Sequence, residues 1–163
     1  MNDRPIYLDY NATTPVDPVV ALALEPWLRE RFGNPSSAHP YGEEARAAVE
    51  TARVEVAALI GGRAEDMIFC GSATEANNLA IFGAVRALCG ERRHVVTSAV
   101  EHPSVMQPMR WLEAEGWQLT VLPVDGTGRV RMGSAAQAIR RDTALVSVML
   151  ANELGSQKWT PST

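Results

Sequence analysis

The amino-acid sequence predicts an α/β fold built on an open, mostly parallel sheet with flanking helices. Short apolar runs suited to strands alternate with segments whose apolar residues recur at helical spacing, the pattern of βαβ units. Residues that reverse the chain, such as Gly71-Ser72, fall between those runs, and no internal repeat, linker or low-complexity segment breaks the series. Size supports the same class. With 163 residues, 46% hydrophobic and 21% charged, the chain has the length and balance of one globular domain with a substantial core.

Taken in order, Ile6 to Tyr10 is a short extended run and Asn11 to Pro15 a polar turn. Asp17-Pro18 reads as a helix start, with Asp17 as cap and Pro18 in the first turn, where its missing N–H costs nothing. That helix should reach toward Arg31, and Pro26 predicts a kink or a break. Gly33 to Ser37 and His39 to Gly42 read as an irregular loop, the longest stretch of turn formers and of a kind that often carries function. From Glu43 to Ile60, Ala45, Val49, Ala52, Val56 and Leu59 form one stripe of an amphipathic helix, which Gly61-Gly62 should stop.

Met67 to Phe69 reads as a strand buried on both faces, followed by the Gly71-Ser72 turn and a helix opening at Ala73-Thr74. A second strand is expected over His94–Ser98, a helix over Val105–Glu115, a third strand over Trp117–Leu122, a helix over Ser134–Arg140 and a fourth strand over Ala144–Leu150.

The net charge is −4 and the arginines are scattered between acids, so no basic stripe offers itself to nucleic acid. No apolar run approaches a membrane span, and Met-Asn-Asp-Arg-Pro lacks the apolar segment of a signal peptide, so a cytoplasmic location without membrane contact is expected. Cys70 and Cys89 stand without Cys/His pairs at metal spacing, which suggests structural free thiols and no metal site. Of the 15 basic residues 14 are arginines, and the only lysine is Lys158. Any chemistry that needs an amine nucleophile has that single candidate.

The stretch from Met67 to Ile81 carries the clearest chemical signal. The first N–H groups of a helix have no intrahelical acceptor and the macrodipole adds positive potential, so a phosphate can bind at Ala73-Thr74, with the Thr74 hydroxyl as a further donor. The same pattern also fits a plain capped helix, with Ser72 or Thr74 as cap and Glu75 stabilising the first turn. In an open parallel sheet, ligands bind beyond the carboxyl ends of the strands. Glu101-His102 follows the second strand and Asn152-Glu153 the fourth, so a phosphate turn, an imidazole and an amide could share one rim. Singly, such a His or Asn is more often loop or turn chemistry.

Tyr7 to Pro15, Phe32 to Ser37, Ser72 to Ile81, Thr97-Ser98 through Glu101-His102, and Val146 to Asn152 together resemble, in order and spacing, the cysteine desulfurases of the class V aminotransferase group. The resemblance runs from about Ile6 to Gly155. It implies part of the large domain of a pyridoxal-phosphate fold type I enzyme, with an N-terminal arm and helices over residues 1–60 and the partial large domain over 65–155 of a single domain, 1–163. It implies pyridoxal 5'-phosphate as cofactor, with Ala73 and Thr74 holding its phosphate, His102 stacking on its ring and assisting proton transfer, and Asn152 contacting the ring hydroxyl. Such enzymes convert L-cysteine to L-alanine and pass sulfur, as a persulfide, to an acceptor or scaffold protein for iron-sulfur cluster or thio-cofactor synthesis. They act as homodimers.

Departures from the pattern are equally definite. The family's pyridine-pairing aspartate, its Schiff-base lysine and its sulfur-accepting cysteine come later than this sequence runs, and Ala151-Asn152-Glu153 has one asparagine where two are usual. A truncated or frame-disrupted copy, inactive alone, is expected. The resemblance also implies that Met67–Phe69 lies apart from the other strands, leaving apolar surface exposed. Two alternatives stand beside the desulfurase: a related class V lyase or aminotransferase, and a non-catalytic module that pairs with a full-length subunit.

Overall fold

The computed structural model describes residues 5–10, 12–88, 90 and 92–151. Residues 1–68 and 69–163 form two compact units.

In the first unit, α1 spans Pro18–Arg29 and α2 spans Pro40–Ile60. Asp17 caps α1, its carboxylate accepting the Val19 N–H at 2.8 Å, with Pro18 in the first turn. The helix runs through Pro26 without the expected break. A proline there removes one amide and frees one carbonyl of the preceding turn, and α1 buries none of its residues, so water can reach that carbonyl. α2 begins three residues before the expected Glu43. His39 caps it through Nδ1, which accepts the Gly42 N–H, and Pro40 supplies the first helical residue. Its end at Gly61 is as expected, with φ +68° in the left-handed region that suits glycine. A 3-10 turn over Ala64–Asp66 follows.

The strand expected over Met67–Phe69 does not form, since residues 67–70 take no regular secondary structure. A strand is held by its ladder, and the sheet of described residues consists of three other strands. Nor is this apolar run buried on both faces: Ile68 and Phe69 are exposed. Cys70 therefore ends no buried strand and is itself half-buried, while Cys89 lies outside the described residues.

The second unit contains α3 (Ala73–Leu88), β1 (His94–Ser98), α4 (Pro103–Ala114), β2 (Gln118–Leu122), α5 (Met132–Ala138) and β3 (Thr143–Ser147). The strands pair in the order β2-β1-β3, both pairings parallel, with His94 opposite Gln118 and Val96 opposite both Thr120 and Val146. This is the open parallel sheet with flanking helices that the sequence predicts. α4 starts two residues earlier than expected, again at a His-Pro step, and β3 ends at Ser147 rather than Leu150.

Each residue of the central strand β1 is buried, as a strand paired on both sides and covered by helices must be. Val95 joins Ile81 and Val85 of α3, Val105, Met109 and Leu112 of α4, and Trp117 in one core. Full burial of each such side chain contributes about 1.5–3 kcal/mol. That core fixes α3 against α4, which brings the N-termini of both helices to neighbouring positions.

Candidate functional site

The first turn of α3 is closed by a reciprocal cap. Ser72 Oγ accepts the Glu75 N–H at 3.2 Å, and the Glu75 carboxylate reaches back to accept the Gly71 N–H at 2.7 Å. The capping role left open by the sequence thus falls to Ser72. It does not exhaust the turn: the N–H groups of Ala73 and Thr74 have no acceptor among the described residues. Two backbone donors therefore remain for an anion.

α4 opens on His102, whose Nδ1 accepts the Ser104 N–H at 3.1 Å, with Pro103 as first helical residue. Ser104 Oγ lies 2.8 Å from the same nitrogen, and Asn77 Nδ2 of α3 donates to that hydroxyl at 2.9 Å. A polar bridge between the two helices thus ends on the His102 ring.

Between α3 and α4 runs a groove of about 790 Å³. Thr74 and His102 line it where the two helices begin; Phe82, Arg86 and Trp111 line it farther along. Phe82 and Trp111 meet edge to face at 5.2 Å between ring centroids, an arrangement that suits their quadrupoles. The groove thus has an apolar wall, one guanidinium along it and backbone donors where the two helices begin.

Of the four residues expected at the rim, the structure brings Thr74 and His102 into this one groove. Ala73 precedes Thr74 in the same helical turn and offers its N–H rather than a side chain. Asn152 lies outside the described residues. Ahead of it in the chain, Glu101 Oε1 accepts both the Ser98 hydroxyl at 2.7 Å and the Met149 N–H at 2.8 Å. One carboxylate oxygen thereby ties the end of β1 to the segment after β3.

Sequence reasoning missed Asn77, Ser104 and the linking role of Glu101. A signal for Ser104 was present in Pro103, which marks the first helical position and so makes His102 the cap. It also missed His94, which is fully buried at the other end of β1, with Nδ1 2.8 Å from Thr143 Oγ1 and Nε2 2.8 Å from Thr120 Oγ1. Burial first, and then the nearby Arg140 guanidinium, push the His94 imidazole below the usual histidine range, against a smaller opposing pull from Asp142. Its place is structural.

Residues 6–161 match the family described as aminotransferase class-V, and the chain belongs to that family. Within it, the chain is 46% identical over 154 residues to the cysteine desulfurase IscS of Dictyoglomus turgidum, which covers 94% of this chain and 39% of that protein. It is 47% identical to the cysteine desulfurase of Homo sapiens, covering 93% of this chain and 34% of that one. The chain therefore spans well under half the length of these curated relatives. Among solved structures, a NifS-like protein superposes with a TM-score of 0.85 at 35% identity over 90% of this chain and 40% of its own. SspA in complex with cysteine superposes with a TM-score of 0.79 at 36% identity, over 87% of this chain and 41% of its own. These likenesses make the sheet and its helices part of a pyridoxal-phosphate fold type I domain.

Proposed function

We propose that this chain supplies the cofactor-facing part of a cysteine desulfurase, with pyridoxal 5'-phosphate as cofactor and L-cysteine as substrate. The observation that carries the reading is the meeting of Thr74, His102 and two uncommitted helix N–H groups at one end of one groove. The fit to the cofactor is chemical. A phosphate needs several donors in a small arc, and the amides of Ala73 and Thr74 with the Thr74 hydroxyl provide them at the positive end of α3. When bound, the cofactor supplies an electron sink for chemistry at the α-carbon of an amino acid.

The chain's own residues orient and donate. Thr74 anchors the anion, His102 presents its ring at the mouth of α4, and Phe82 and Trp111 give the groove an apolar wall. Asn152, as a contact for the ring hydroxyl, belongs to the same proposal, as does the division into an N-terminal arm over 1–60 and a partial large domain over 65–155. Cysteine as substrate is supported by the similarity to SspA, solved with cysteine, and sulfur transfer toward iron-sulfur clusters by the similarity to IscS.

Pairing with a second subunit and delivery to a sulfur acceptor complete the reading. The apolar residues that α1 leaves exposed, among them Val19, Leu22 and Leu28, support the pairing. A cytoplasmic setting belongs to the same proposal; no described helix is long and apolar enough to cross a membrane. The chain's only lysine is Lys158, six residues past Asn152 and far earlier than the family's Schiff-base lysine, so we expect no desulfuration by this chain alone.

Calorimetric titration of pyridoxal phosphate into wild type and Thr74→Ala tests the site. Loss of a charge-assisted hydrogen bond should weaken binding by about 1.5–3 kcal/mol, or roughly ten- to a hundredfold. Equal, measurable affinities would remove the phosphate from this turn.

A further inference from the structure

The bridge between α3 and α4 fixes more than the spacing of two helices. Its hydrogen-bond directions can be worked out from one end, because a backbone N–H can only donate. The Ser104 N–H donates to His102 Nδ1 at 3.1 Å, so in the neutral ring Nδ1 carries a lone pair and the proton sits on Nε2. Ser104 Oγ, 2.8 Å from that same nitrogen, must then donate its hydrogen to it as well. The hydroxyl is left as an acceptor, and Asn77 Nδ2 donates to it at 2.9 Å. Each partner in the chain Asn77, Ser104, His102 therefore has one allowed direction. The orientation of the Asn77 amide follows from it, since the amide oxygen in that place would face a hydroxyl whose hydrogen is already committed. Ser104 is buried, so water competes poorly for these bonds.

We propose that Ser104 is the positioning residue that sets the tautomer of His102, its backbone N–H and its Asn77-oriented hydroxyl both donating to Nδ1, so that the proton is held on Nε2 and the ring offers a hydrogen-bond donor there and not an acceptor. The role of Asn77, a half-buried polar residue in the second turn of α3, is thereby explained through its partner Ser104 on α4. A ligand read by this imidazole must present an acceptor, such as a carboxylate, a phenolate-type oxygen or a carbonyl. A ligand offering only a donor finds no partner at Nε2. The inference deepens the proposed function by stating what His102 can offer the groove, yet its physical basis lies wholly within α3 and α4.

The test is spectroscopic and needs no cofactor. The full chain is labelled with 15N in its histidines, His39, His94 and His102, and ring nitrogens are recorded by magic-angle spinning, which is indifferent to the state of association. Measurement at about pH 8.5 keeps ordinary imidazoles neutral, and the His102 signals are those lost in His102→Gln. Wild type is expected to show one His102 tautomer, with the proton on Nε2.

Asn77→Asp takes away the hydroxyl half of this arrangement. A carboxylate can only accept, so it draws the Ser104 hydroxyl hydrogen away from the ring and leaves the backbone N–H to donate to Nδ1 alone. The Nε2–H tautomer is expected to persist in this variant, with the Nδ1 signal displaced toward that of a less hydrogen-bonded ring nitrogen. A proton on Nδ1 in wild type would overturn the proposal without recourse to any variant. So would an unchanged Nδ1 signal in Asn77→Asp whose other two histidines keep their wild-type signals. Failure of pyridoxal phosphate to bind would leave these outcomes untouched, so the tautomer and the cofactor reading stand or fall separately.

Discussion

The two units of this chain were built from similar residues by different rules. Residues 69–163 have an interior: Met109, Val95 and Leu112 are buried almost completely, and α3 and α4 turn apolar residues to the sheet and to each other. Residues 1–68 have almost none. α1 buries no residue, α2 buries only Gly42, Ala45 and Ala57, and Leu59 and Ile60 are exposed despite their place at the end of an apolar stripe. An amphipathic pattern shows which face of a helix is to be covered; it does not say that the covering lies within the same unit. What orders the first unit is local: caps on both helices, a left-handed glycine, and a backbone packed close at Gly42.

The sharpest way to break this comparison is to cut a side chain in each unit. Met109→Ala should cost about 2–5 kcal/mol, because it opens a cavity among residues that cannot close over it. Leu22→Ala, on α1, should stay within about 0.5 kcal/mol. Urea unfolding of the full chain measures both. Comparable losses would show that α1 has a covered face after all.

Next in size is Gly42→Ala. A Cβ there would collide with the Ser37 carbonyl oxygen and lie 2.7 Å from that of Asn34, both backbone atoms that cannot rotate away. We expect a cost of about 1–3 kcal/mol, read as faster amide exchange at the start of α2 and not in β1. An unchanged exchange pattern would mean that the loop before α2 yields freely, and the first unit would then lack even this local constraint.

The smallest effect is one of pH and belongs to the second unit. His94 has its protonation lowered in the folded chain from the ordinary value of 6.5. Below that value the unfolded chain takes up a proton that the folded chain resists, so stability falls as pH drops through about 6.5 toward the lower folded value, and levels off above it. The melting temperature of wild type should follow this slope between about pH 7 and pH 5, and His94→Gln should flatten it. A slope that survives the substitution would place the titrating group elsewhere. The lowered carboxyls of Asp125 and Asp142 act in the same direction only in more acidic solution.

The sheet was legible because β1, β2 and β3 each carry a compact apolar run between turn residues, and that signal is local. Met67–Phe69 carries the same signal and forms no strand, because pairing depends on a neighbour that a local pattern does not reveal. Helix starts show a related limit. Asp17-Pro18 was readable since aspartate is a common cap, whereas His39-Pro40 and His102-Pro103 were passed over, imidazole being an uncommon one. That Thr74 and His102 would share one rim was legible from their places after expected strands and turns, and both line one groove. Asn77 was not, because its role depends on Ser104, 27 residues away in sequence, and periodicity holds no record of such a partner.

The order β2-β1-β3 also amounts to a timetable. β1 leaves the ribosome before its two neighbours, and it occupies the middle. β2 then finds one open edge and β3 the other, so neither strand has to be threaded between two that are already joined. Parallel pairing across intervening helices is slow to find, and a nascent chain that grows outward from its centre meets each search with one edge already in place. A permuted gene that delivered β2 and β3 first would leave two strands waiting for the partner that joins them, with their apolar faces open to other chains in the meantime.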